Sequence, residues 1–173
     1  MAHPLFAKLQ ASCELLGWKS WIEEAQSADD IAQMHVLIHV DDQVRNYVVR
    51  LLVSGDDAAD ASSMQLLDLA VILPFRVADG ALADTARLLA SINLANVIGA
   101  FALSEADRVV ILRYGWHAVA SELQPNRVVR LLDMFDYQCQ DSAALIEQVA
   151  TGAVTFDQIG QAVRELTSAE GVQ

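Results

Sequence analysis

The stretch that decides the fold is residues 82–116, which read LADTARLLASINLANVIGAFALSEADRVVILRYGW. Its first half repeats apolar residues every three or four positions, which predicts a helix with one wide apolar face. Gly99 is predicted to end this helix, because a residue just past a helix often needs a positive φ that glycine adopts without a steric clash. The apolar period then changes to two on either side of a turn at 104–107, which predicts a β-hairpin.

On the N-terminal side, the chain reads as one helix followed by short strands. An apolar stripe predicts the helix at 4–16, and three or four strands are expected after it. The strand candidates are 18–24, 31–40, 44–54 and 66–75. The run 69–73 is apolar at every position, which is typical of a strand covered on both faces. Short turns join these strands, so we expect an antiparallel β-sheet meander packed with helices, an α+β fold of order α-β-β-β-α-β-β-α.

The C-terminal part is predicted to be helical. A long helix is expected at 125–152, and a capping pattern predicts a last helix at 155–166. We therefore expect one α+β domain over residues 1–152 and a helical extension over residues 153–173. A chain of 173 residues can bury such a core without a disulfide or a structural metal.

Composition narrows the possible functions. The chain carries 11 Lys and Arg residues against 23 Asp and Glu residues, and its net charge of -12 repels nucleic acids and anionic membranes. Its mean hydropathy of +0.30 is high for a soluble protein, so some apolar surface is expected to serve a partner. No secretory signal or membrane-spanning run is evident, and we expect a cytoplasmic protein. Cys13 and Cys139 are interpreted as buried apolar side chains.

Few residues point to reaction chemistry. On a helix the spacing of His35 and His39 would suit one zinc ion, but four residues of a strand span about 13 Å, too far for a shared metal. The acidic loop at 56–60 lacks the glycine and the glutamate of a calcium loop. No phosphate-binding or nucleophile motif is present in the sequence, so we expect no catalytic residue, cofactor or metal. The alternative is a small enzyme or ligand-binding domain, in which one of the histidines acts with Asp68 or Glu23.

Four large polar or aromatic side chains are candidates for special roles. Trp18, Trp21 and Trp116 could contact a partner, because aromatics concentrate binding energy at interfaces, but they equally suit the ends of a core. Trp18 and Trp21 fall on opposite faces of the first strand, so at most one should be deeply buried. Asn93 lies beside the apolar face of the central helix, where an unpaired amide is costly. We predict that it hydrogen-bonds to the backbone of the following hairpin.

The order of elements and three short runs resemble a known family. The runs are LLASINL at 88–94, GAFAL at 99–103 and VVIL at 109–112. They are similar to the leucine-leucine, asparagine, glycine and hairpin pattern of class I type III secretion chaperones and of the related YbjN family of bacterial sensory transduction regulators. The resemblance implies a non-catalytic, usually dimeric fold that holds a client segment against its first helix and sheet. The chain departs from that pattern in its acidic loop and its extra last helix.

We therefore expect a non-enzymatic homodimer in the bacterial cytosol that holds a segment of a partner protein, as a chaperone or a regulatory adaptor. Phe6, Leu9 and Trp21 are candidate anchors, and each fully covered side chain would contribute roughly 1.5 to 3 kcal/mol before ordering costs. The acidic surface would favour segments with basic flanks. The nearest alternative is a regulator of the YbjN type without chaperone activity.

Overall fold

The structure is a computed structural model, and it describes residues 3–27, 30–55 and 60–162. The elements are α1 (Pro4–Leu15), β1 (Lys19–Glu23), β2 (Gln33–Val40), β3 (Asn46–Gly55), β4 (Met64–Ile72), α2 (Leu82–Ala95), β5 (Ala100–Ser104), β6 (Val109–Val119) and α3 (Pro125–Ala150). A last helix, α4, covers residues 156–162. The predicted α+β fold is confirmed, with four strands before the central helix. The end of the predicted last helix, 163–166, and most of the acidic loop, 56–59, lie outside the described residues.

The six strands form one antiparallel sheet in the order β1-β2-β3-β4-β6-β5. The first four strands are the predicted meander, and the last two are the predicted hairpin. The second strand of the hairpin, β6, pairs along the whole of β4, which leaves β5 at the edge of the sheet. The register of this central pair runs from Met64 opposite Val119 to Ile72 opposite Ile111. Chain order and sheet order therefore differ at this end of the sheet.

The core lies between one face of the sheet and the three long helices. α1 packs beside β1, α3 crosses β2 and contacts both other helices, and α2 packs on β5. Alternate side chains of each strand turn towards these helices, as the pleat of a strand requires. Val49, Leu69 and Leu112 are examples from three neighbouring strands, and each is fully buried. Cys13 and Cys139 are free and buried among them, as the sequence predicts.

Asn93 and Gly99 connect α2 to the hairpin. The side-chain Nδ2 of Asn93 donates to the carbonyl oxygen of Phe101 at 2.9 Å, and its Oδ1 accepts from the Phe101 N–H at 2.8 Å, so the predicted bond is confirmed. Gly99 has a φ of 66°, but α2 already ends at Ala95. A Cβ at Gly99 would lie 2.7 Å from the carbonyl oxygen of Arg113. The glycine is therefore required where β5 enters the sheet beside β6, rather than at the end of the helix.

α4 begins against the N-terminal half of α2. Thr155 and Gln158 form the predicted capping pattern, with the Thr155 N–H donating to Gln158 Oε1 at 2.8 Å. The Arg87 guanidinium lies 4.3 Å from the ring centroid of Phe156 and donates to Asp157 at 2.9 Å. The described part of α4 is thus fastened to α2 and leaves the C-terminal end of α2 uncovered.

Candidate functional site

The two anchors proposed on α1 do not lie on the surface. Phe6 and Leu9 are 0% exposed and belong to the core. The apolar stripe of α1 packs against β1 and α3 and is buried there. The prediction that Phe6 and Leu9 contact a partner is therefore wrong for the chain folded in this way, because neither presents surface that a partner could cover.

The three tryptophans do not form a common site. Trp18 and Trp116 are partly buried and pack against the core. Trp21 is 46% exposed, and its ring stacks on that of His35 in the neighbouring strand with centroids 5.1 Å apart. Trp21 points away from the helices and Trp116 towards them, so a single partner segment does not reach both. Trp21 alone of this set offers a large apolar surface.

His35 and His39 lie on opposite faces of the sheet. The pairing of β2 with β3 shifts between Leu37 and His39, so the alternation of side chains slips by one residue. His35 faces away from the helices, and its Nε2 lies 3.3 Å from Glu23 Oε2. His39 faces α3, and its Nδ1 lies 3.8 Å from Asp136 Oδ1. Among the described residues, no group of three His, Cys, Asp or Glu side chains is placed to hold a metal ion.

A depression of about 400 Å³ separates the β2–β3 turn from α3. Three of its charged groups are paired with one another, because Arg45 donates to Glu147 at 2.7 and 2.8 Å and to Asp41 at 2.7 Å. Burial raises the pKa of Tyr47 to about 12 and that of the Cys139 thiol to about 12, so both groups are protonated at neutral pH. We therefore interpret the ion pairs of Arg45 as a structural link between the β2–β3 turn and α3, and not as part of a reactive site.

A groove of about 640 Å³ runs between the C-terminal end of α2 and the middle of α3. This α2–α3 groove has an apolar lining from Ile92, Val97 and Ile98 on one side and Met134, Tyr137 and Leu145 on the other. Four of these six side chains are exposed, and the exposed fraction reaches 88% for Val97 and 70% for Tyr137. Exposed apolar side chains that cluster in a concave site mark an interaction surface.

Sequence reasoning missed this groove, although α3 carries a signal for it. Met134, Tyr137 and Leu145 form a second stripe beside the buried stripe that holds Phe135 and Cys139. The second stripe recurs at helical spacing but is interrupted by polar residues, so it does not stand out as an apolar face. From residue 134 to 145 it extends about 16 Å, or three turns of helix.

The polar groups of the α2–α3 groove favour a cationic or hydrogen-bond-donating occupant. Asp133 and Asp141 border it, and neither has an ion pair within the described residues. Gln138 also lines it, is only 8% exposed, and its Oε1 has no hydrogen-bond partner in the described structure. A buried acceptor without a donor costs about 1 to 3 kcal/mol. A donor supplied by an occupant would recover part of that energy.

The sheet face that is turned away from the helices is a second exposed surface, here termed the open face. Its apolar side chains at the centre of the sheet are Val48, Leu52, Leu66, Ala70, Ile72 and Ile111. Ile72 is 57% exposed. A shallow depression of about 380 Å³ lies over Ala70, with Arg50 and Arg113 on either side.

Comparison of the sequence with protein-family models gives no match, and neither does comparison with curated proteins. The resemblance noted from the sequence therefore stays a prediction. Within residues 3–27, 30–55 and 60–162, every helix is too short or too polar to traverse a bilayer. The two exposed surfaces are the features from which a function can be argued.

Proposed function

We propose that this protein is a non-enzymatic binding module that holds a basic, amphipathic segment of a partner protein in the α2–α3 groove. Its role would be that of a chaperone or a regulatory adaptor in the bacterial cytoplasm. One observation carries the proposal: the groove combines exposed apolar side chains with two carboxylates that form no ion pair among the described residues and with the Oε1 of Gln138, which has no hydrogen-bond partner there. These features complement a segment that presents apolar anchors and cationic flanks.

The shape of the groove favours a helical segment. Both walls of the groove are built from α2, the residues that follow it and α3, so among the described residues no strand edge lines the groove to pair with an extended peptide. A helix laid in a groove is instead recognised through side chains spaced three and four residues apart. The α3 wall is about three turns long, which is enough for a segment whose anchors at positions i, i+4 and i+7 span about two turns.

The expected affinity is moderate. Each fully covered large apolar side chain contributes roughly 1.5 to 3 kcal/mol, and ordering of the segment opposes this gain. Two or three anchors are therefore consistent with a dissociation constant of the order of 1 μM. The carboxylates of Asp133 and Asp141 lie at the border of the groove, so their attraction for a basic segment should weaken as salt is added.

A defined peptide tests the proposal. The probe is a fluorescent amphipathic helix of about four turns with leucines on one face and lysines on the other. Its fluorescence anisotropy should rise on binding, and the affinity should fall about tenfold or more with Tyr137→Ala and with Asp133→Lys. Tyr137 is 70% exposed, so this replacement leaves the fold intact. Trp21→Ala, on the other side of the sheet, is the matched control and should leave the affinity unchanged.

Two further peptides make the outcome decisive. One replaces each lysine by glutamate, and the other keeps the composition but scrambles the order, so that no apolar face forms. Equal binding of all three peptides, or binding that is indifferent to both groove variants, would show that the groove is not the site.

A further inference from the structure

We infer that the α2–α3 groove contains a site for a primary ammonium group, which the bound segment supplies as the side chain of a lysine. The inference rests on the proposed function and names the residue that the groove selects in its occupant. The site consists of Gln138, Asp141 and Ser142, three side chains of α3 that all line the groove. They occupy positions i, i+3 and i+4, which share one face of a helix, so the three side chains are neighbours. This cluster is here termed the ammonium site.

Each member of the ammonium site offers an oxygen atom that can accept a further hydrogen bond. Gln138 is 8% exposed, and its Oε1 has no partner among the described residues. Ser142 is 7% exposed, and its hydroxyl donates its single proton to Asp141 Oδ2 at 3.3 Å, so its oxygen is left to accept. Asp141 forms no ion pair in the part of the chain that the structure describes. The site therefore combines three acceptors with one uncompensated negative charge.

The groove itself does not supply a cation. Among the described residues, no lysine, arginine or histidine lines it. Its other side-chain amide, that of Asn96, donates to Asn93 at 3.4 Å and not to Gln138. Asp133 adds a second negative charge at the border of the groove. Charge and hydrogen bonding are therefore both complemented by a cationic donor from the occupant.

A primary ammonium fits these acceptors better than a guanidinium. It carries three N–H donors and no acceptor, which is one donor for each of the three oxygens. At about 2.8 Å from each acceptor, it bridges oxygens up to about 5.6 Å apart, which is the spacing of neighbouring side chains on one helix face. A guanidinium binds best to both oxygens of one carboxylate, but Oδ2 of Asp141 already accepts from Ser142.

The walls of the groove suit the rest of a lysine side chain. Its methylene groups can pack against Ile92, Met134 and Leu145 while the ammonium reaches the polar atoms. Desolvation of the ammonium is costly unless the charge is paired and hydrogen-bonded. Asp141 is exposed at the border and supplies the opposite charge, and Gln138 can turn its amide towards the ammonium about the bonds of its side chain. Without these acceptors, an apolar side chain of the same length would bind more tightly than lysine.

Four versions of the amphipathic peptide test the inference. The central leucine of the apolar face is replaced by lysine, norleucine, arginine or Nε-acetyl-lysine, and norleucine keeps the methylene chain of lysine without its charge. In fluorescence anisotropy, the lysine peptide should bind about tenfold or more tightly than the norleucine peptide, because it adds charge-assisted hydrogen bonds. The arginine and acetyl-lysine peptides should bind more weakly than the lysine peptide.

Variants of the protein assign the preference to the ammonium site. Gln138→Met and Asp141→Asn should each reduce the lysine-to-norleucine affinity ratio to about threefold or less. Methionine fills the space of glutamine and removes an acceptor that has no partner in the free chain, so Gln138→Met should keep the fold. Gln140→Met is the matched control, because Gln140 is exposed on the same helix and lines the depression near the β2–β3 turn instead. This control should keep the full preference for lysine.

A norleucine peptide that binds as tightly as the lysine peptide would overturn the inference. A preference for lysine that survives both Gln138→Met and Asp141→Asn would overturn it as well. The original leucine peptide reports on the proposed function separately. If that peptide binds and responds to Tyr137→Ala while the preference for lysine is absent, the ammonium site alone is refuted. If no peptide binds, both the site and the proposed function are refuted.

Discussion

Arg45 in the β2–β3 turn and Glu147 near the end of α3 form a two-point ion pair across 102 residues of sequence. The Nη1 and Nη2 groups of Arg45 donate to the two carboxylate oxygens at 2.7 and 2.8 Å. Hydrogen bonds from this guanidinium hold the pKa of Glu147 below its ordinary value of 4.5. The pair fastens the turn between two central strands to the helix that crosses the core.

This pair gives stability a defined pH dependence. A carboxylate whose pKa is lowered by folding stabilises the protein above its unfolded pKa, and this contribution is lost as the pH falls through the folded pKa. Glu147→Gln should therefore cost about 1 to 2 kcal/mol at pH 7, and the difference from the unmodified chain should shrink below pH 4.5. Urea unfolding at a series of pH values measures this. Asp141→Asn is the control, because Asp141 lies on the same helix and forms no ion pair with any residue that the structure describes. A difference in unfolding free energy that stays constant with pH would refute the assignment.

Removing the Asn93 side chain should destabilise the junction of α2 with the hairpin. Asn93→Ala leaves the N–H and the carbonyl of Phe101 without partners in a partly buried site, so we expect a loss of about 2 to 3 kcal/mol in the free energy of unfolding. Asn93→Asp should also destabilise, because it removes the donor to the Phe101 carbonyl. Ser91→Ala, two residues away on the exposed side of α2, should change little. Chemical denaturation measures the unfolding free energy of the three variants, and both Asn93 variants should be less stable than Ser91→Ala.

Two glycine substitutions should differ sharply. Gly99→Ala forces a side chain into a left-handed backbone conformation and against the Arg113 carbonyl, so a loss of about 1 to 3 kcal/mol is expected. Gly80→Ala meets no atom within 4 Å and has no positive φ, so its effect should stay within about 0.5 kcal/mol. Thermal unfolding of both variants provides the comparison. Equal effects would mean that the chain near β5 relaxes around the added methyl group.

Two leucines of α1 allow the same truncation in opposite environments. Leu9 is 0% exposed and Leu15 is 89% exposed. Leu9→Ala should cost about 2 to 5 kcal/mol through the cavity it leaves, whereas Leu15→Ala should cost less than about 0.5 kcal/mol. Leu9→Ala should leave peptide affinity unchanged in the folded fraction, since Leu9 lies in the core and not in the groove. A loss of affinity without a loss of stability would restore Leu9 as a binding residue.

Local periodicity predicts the elements well, because the spacing of apolar residues reports which side of a helix or strand is buried. It does not report what buries that side. The stripe of α1 is the example: the sequence predicts that Phe6 and Leu9 anchor a partner, whereas packing of α1 against β1 and α3 buries both side chains. Asn93 could be predicted, since a polar residue beside an apolar stripe needs a partner and the nearest free backbone follows in the hairpin.

Other features depend on contacts that are distant in sequence. The insertion of β6 between β4 and β5 is set by pairing between strands far apart in the chain, and no local pattern encodes it. The register shift in β2 places His35 and His39 on opposite faces of the sheet, and no glycine in β2 indicates it in the sequence. The α2–α3 groove arises only when two helices meet, and its stripe on α3 alternates with acidic residues. Such surfaces are evident in the structure, but the sequence carries only a weak signal for them.

The pairing of β4 with β6 also has a consequence for synthesis. A ribosome completes Ile72 long before it completes Ile111, its partner across the sheet. In that interval the nascent meander exposes an unpaired strand edge whose residues 69–73 are all apolar, a combination prone to aggregation. Fragments that stop before β6, which begins at Val109, should therefore accumulate in inclusion bodies. Synthesis of β6, the second strand of the hairpin, is the step that covers this edge.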